Sequence, residues 1–60
     1  MLKAISIWDG EINIIGVEDT DGGTWWPDSA TQTEIRAANN SAEKAKEICD
    51  TQPMRGEWCD

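Results

Sequence analysis

The chain contains no histidine, no phenylalanine and no tyrosine, and only two cysteines and two prolines. Without histidine it lacks the commonest general base and every Ser–His or Cys–His nucleophile pair. Two cysteines without histidine also fall short of the four nitrogen or sulfur ligands of a structural zinc site. The loop Asp19-Thr20-Asp21-Gly22 shares Asp-x-Asp-Gly with calcium loops, but it lacks their further ligand positions and closing glutamate. It reads as a turn made of turn-forming residues. No metal, no cofactor and no catalytic residue is therefore expected, and the chain reads as a binding protein rather than an enzyme.

Basic residues are scarce: five against 12 acidic ones, for a net charge of −7. That balance disfavours direct contact with nucleic-acid phosphates or an anionic membrane. It suits a protein partner with a basic surface. No segment approaches the roughly 20 apolar residues of a membrane span. The start Met1-Leu2-Lys3-Ala4 has none of the features of a secretory signal, so the expected location is cytoplasmic. There Cys49 and Cys59 are expected as thiols. A turn at Pro53 that folds the tail back onto the preceding helix would allow a disulfide between them in an oxidising setting.

Sixty residues make a single domain, 1–60, with residues 53–60 as a short C-terminal tail. A chain of this size buries only about 60% of its unfolded surface, so association with another chain would relieve a marginal core.

The clearest structural signal is Asp9-Gly10 between two β-rich runs, Leu2 to Trp8 and Glu11 to Val17. With Trp8 opposite Glu11 and Ile7 opposite Ile12, isoleucines 5, 7, 12 and 14 share one face of the hairpin. A short third strand, Thr24-Trp25-Trp26, stops at Pro27. Residues 28–38 read as a strand on the β-branched alternation of Thr31, Thr33 and Ile35. A helix capped by Asp28 or Ser29 is the competing reading. Asn40 and Glu43 then introduce a helix from about Ser41 to Thr51, ended by Pro53. The expected fold is α+β: a small antiparallel three-stranded sheet, with one C-terminal helix packed across the isoleucine face.

Four tryptophans carry all the aromatic character. Neighbouring residues on a strand point to opposite faces, so one of Trp25 and Trp26 enters the core and the other is exposed. Trp8 sits beside the hairpin tip, opposite the isoleucines. Indoles ringed by carboxylates suit a basic, partly apolar partner. The candidate partner-binding residues are thus Trp8, Glu11, Glu18, Asp19, Asp21, Trp25 and Trp26.

The functional expectation is a small acidic protein-binding module, an inhibitor or adaptor of a basic or nucleic-acid-binding protein. Its sharper form is a DNA mimic with carboxylates spaced like phosphates. In brevity and acidity the chain is of the general type of phage and mobile-element accessory proteins, although no motif carries a family resemblance. The alternative is a structural, self-assembling homodimer.

Overall fold

In the computed structural model, residues 1–59 are described, and they form an α+β fold with two layers. Strands β1 (Leu2–Asp9), β2 (Ile12–Asp19) and β3 (Thr24–Pro27) precede two helices, α1 (Ser29–Ala37) and α2 (Ala42–Thr51). A 3₁₀ turn, Pro53–Arg55, then leads into β4 (Gly56–Cys59). The strands form one antiparallel sheet in the order β1-β2-β3-β4.

The expected hairpin is present, with its register moved by two residues. Gly10 and Glu11 form the turn, Asp9 pairs with Ile12, and Trp8 lies opposite Asn13 rather than Glu11. Only Gly10 takes a positive φ, 68°. A two-residue turn with glycine first and positive is the type II′ pattern, which does not require left-handed geometry at Glu11. A shift of two preserves the faces, so Ile5, Ile7, Ile12 and Ile14 still share one side.

The helical layer, however, is on the other side. The buried cluster joins Ile15, Val17 and Trp25 of the sheet to Ile35 of α1 and to Ala45, Ile48 and Cys49 of α2, with Leu2 at its margin. Val17 pairs with Trp25. This stack lies where β3 and β4 widen the sheet, and a helix there buries an indole and a valine together. The isoleucines run out along the narrower hairpin, where less can be covered.

Two further elements depart from the three-strand, one-helix expectation. Residues 29–37 are helical because Asp28 caps them, its carboxylate accepting from the Thr31 backbone N–H at 2.7 Å. Thr31 and Ile35, four apart, then fall on the buried stripe together with Gln32. The cap and this helical spacing outweigh the β-branched alternation. The tail, in turn, becomes β4. Its pairing with β3 sets Trp58 opposite Trp25 and Gly56 opposite Pro27. Pro27 is therefore at the end of an inner strand rather than on an edge. The β2–β3 ladder covers only Val17 with Trp25 and Glu18 with Thr24, so it has already ended there.

Beyond that ladder β2 has backbone groups with no neighbouring strand. The buried Gln32 side chain reaches them from α1. With its amide turned to satisfy both ends, its oxygen accepts from the Ile15 N–H at 3.0 Å and its nitrogen donates to the Ile15 carbonyl at 3.3 Å. A buried amide thus replaces two ladder bonds, which accounts for a polar side chain in the core.

Candidate functional site: the uncovered sheet face

Strand alternation divides the sheet into two surfaces. On one are Leu2, Ala4, Ile15, Val17 and Trp25, beneath the helices. The outer one carries Lys3, Ile5, Ile7 and Asp9 from β1, Ile12, Ile14, Gly16 and Glu18 from β2, Trp26 from β3, and Glu57 from β4. Among the described residues no element covers it. Ile7 remains 47% exposed and Ile12 51% exposed, while Ile5, Ile14 and Trp26 are half-buried.

Trp26 is held flat on this face by Gly16. A Cβ at Gly16 would stand 2.7 Å from the Trp26 ring, so the glycine supplies the space in which the indole lies. The outcome is a contiguous apolar strip running from the hairpin tip to the indole.

The border of the strip is mostly acidic. Asp9, Glu18 and Glu57 project on the outer side, with Glu11 at the tip. Lys3 is the one cation that the strands themselves place there, and Arg36 of α1 lies beside Ile12 and Ile14 at the open margin of β2. Among the described residues, none of these four carboxylates makes an ion pair. Three of the five basic side chains are engaged in the helical layer instead. Lys44 lies 3.5 Å from Glu34, Lys46 lies 3.8 Å from Glu43, and Arg55 pairs with Glu34 while donating to the Thr31 hydroxyl at 3.1 Å. The Arg55 hydrogen bond holds the Glu34 carboxyl below its ordinary range. The two faces therefore differ in character: the helical layer holds the ion pairs of Glu34 and Glu43, while the outer sheet is apolar with acids outside any ion pair.

The residues expected from sequence to contact a partner are scattered. Trp26 and Glu18 belong to the outer face. Trp25 does not: it is fully buried, its indole N–H donating to the Pro53 carbonyl at 3.0 Å, and it offers a partner no surface. Trp8 is 69% exposed, on the helical side of β1, where it lines a shallow hollow with Glu11, Arg36 of α1 and Asn40. Asp19 ends β2 and Asp21 lies in the turn that follows, and the Asp19 carboxylate accepts from the Asp21 N–H at 3.2 Å. That bond is the main cause of its lowered pKa. Among the described residues no three metal-ligating side chains converge, and no helix is long and apolar enough to cross a membrane.

Cys49 and Cys59 are both free. Cys49 is buried in α2 on the helical side, and desolvation, aided by Asp50 and Asp19, raises its pKa. Cys59, opposite Thr24, is on the outer side of β4. The sheet therefore separates the two thiols.

Sequence reasoning passed over the isoleucines as site residues because it assigned them to the core. The signal was present in the hairpin itself, which has two apolar faces and too few helical residues to cover both. Comparison with known proteins returns no matching family model, no similar curated protein and no similar solved structure.

Proposed function

We propose that this chain is a non-catalytic protein-binding module that docks its partner on the outer face of the sheet. The observation that carries this reading is the strip of Ile5, Ile7, Ile12, Ile14 and Trp26, left without a covering layer, with Ile7 and Ile12 exposed, and bordered by carboxylates outside any ion pair. Contiguous exposed apolar surface with a polar rim is the usual mark of an interaction site. The rim sets the chemistry of the partner, an apolar patch surrounded by lysine and arginine. Complementary charge of this kind speeds encounter and selects against acidic proteins.

The centre of the face also separates protein docking from phosphate mimicry. A mimic needs carboxylates across its contact surface, whereas here isoleucine and indole occupy the middle and the acids the margin. The test is affinity capture from cells that make the protein, comparing wild type with the Ile7→Gln/Ile12→Gln variant. The expected partner is retained by wild type, weakened by added salt, which screens charges beyond about 10 Å at 0.1 M, and lost by the variant. Equal retention by both proteins contradicts the assignment.

A further inference from the structure

β1 forms one border of the sheet, and its eight residues make it twice as long as β4, which has four, at the other border. Asp9 and Ile12 close a two-residue turn, so they exchange hydrogen bonds. Along β1 the odd-numbered residues therefore bond β2. The even-numbered ones, Leu2, Ala4, Ser6 and Trp8, turn their backbone N–H and C=O groups outward. Long open edges of this kind are templates for another strand.

We propose that the strand they accept is β1 of a second copy, antiparallel and centred on Ser6. This inference goes beyond the docking reading and stands without it. In that register Ala4 faces Trp8 of the second copy and Ser6 faces Ser6, so each outward-turned pair exchanges two backbone hydrogen bonds. On the outer side Ile5 faces Ile7 of the second copy, and Lys3 faces Asp9 at both ends. Charge and apolar contact match: Lys3 meets a carboxylate and Ile5 meets Ile7, while on the helical side the exposed Trp8 indole comes beside the half-buried Ala4 at the margin of the start of α2.

The two neighbouring registers that keep the hydrogen-bond parity do not match. One sets Lys3 against Ile7; the other sets Ile5 against Asp9 and Lys3 against Glu11. A two-fold axis normal to the sheet is the isologous symmetry of most dimers. It leaves both helical layers on one side and makes the two isoleucine faces one continuous surface on the other. The dimer also answers the small size of the core, since a 60-residue chain gains most from association.

The test is sedimentation equilibrium over micromolar to millimolar concentrations, with a reductant present so that Cys59 cannot link chains. Wild type is expected at twice its 6.7 kDa mass. Ser6→Pro removes an N–H that β2 does not use, so the fold, followed by circular dichroism, persists while the dimer is lost. Lys3→Asp and Asp9→Lys each place like charges opposite one another at two symmetric positions, raising the dissociation constant about tenfold or more. Mixed in equal amounts, these two variants restore opposite charges at both ends, and a heterodimer forms. A wild-type monomer throughout the concentration range overturns the proposal. So does a dimer indifferent to Ser6→Pro, or a mixture no tighter than either variant alone.

Discussion

Gly56 illustrates how closely single residues are fitted in this small core. A Cβ there would stand 2.5 Å from the Trp25 ring and 2.5 Å from the Trp26 carbonyl. The second neighbour is backbone and cannot swing away. Gly56→Ala should therefore cost about 1–3 kcal/mol by overpacking, read from the denaturant midpoint, and an unchanged midpoint would contradict the packing described. Asp28 gives a prediction in pH. The Thr31 backbone N–H, the largest influence, holds its pKa below the ordinary value of 3.8. A depressed carboxylate stabilises fully above its unfolded pKa and loses that contribution as pH falls through the lower folded value. The stability gap between wild type and Asp28→Ala should accordingly be constant near neutrality and narrow below about pH 4. A gap that stays constant into strong acid would mean that the cap works without its charge. The pairing of Trp25 inside with Trp26 outside was legible at this scale, because alternation demands it. Which of the two goes inside was not, since it depends on Val17 and Gly16 across the sheet.

Among the elements, α1 shows where local pattern and tertiary structure disagree. Thr31, Thr33 and Ile35 alternate as a strand would, yet Asp28 caps a helix and Gln32 is placed to complete the unpaired edge of β2. Gln32→Leu keeps the bulk and leaves the Ile15 N–H and carbonyl buried without partners. It should cost about 1–3 kcal/mol, whereas Thr33→Leu, on the exposed side of the same helix, should fall within about 0.5 kcal/mol of wild type. Equal effects would show that Gln32 serves only as filler. The hairpin and α2 were legible in outline from turn-forming residues and periodicity. The turn nevertheless falls at Gly10-Glu11, and the cap of α2 is Ser41, whose hydroxyl accepts from the Lys44 N–H, rather than Asn40, which has a positive φ of 55°. β4 was hidden, because Gly56-Glu57-Trp58-Cys59 is too short to show a pattern and forms only against β3.

At the scale of the whole molecule, the fold leaves one sheet face without a layer. Sequence reasoning saw the isoleucine face of the hairpin and one helix, and placed that helix on it. The structure has two helices and sets both over Val17 and Trp25, because the wider part of the sheet buries more in one place. The isoleucines thereby change from core to surface, and the candidate site moves with them. If that account holds, polar residues at Ile7 and Ile12 cost the monomer little, since neither side chain is buried within it. The most direct measurement is an amide and indole chemical-shift map of the isotopically labelled protein as its captured partner is added. The account predicts shifts concentrated at Ile5, Ile7, Ile12, Ile14 and the Trp26 indole, with α1 and α2 almost unmoved. Shifts confined to the helical layer, with the isoleucine face silent, would contradict it.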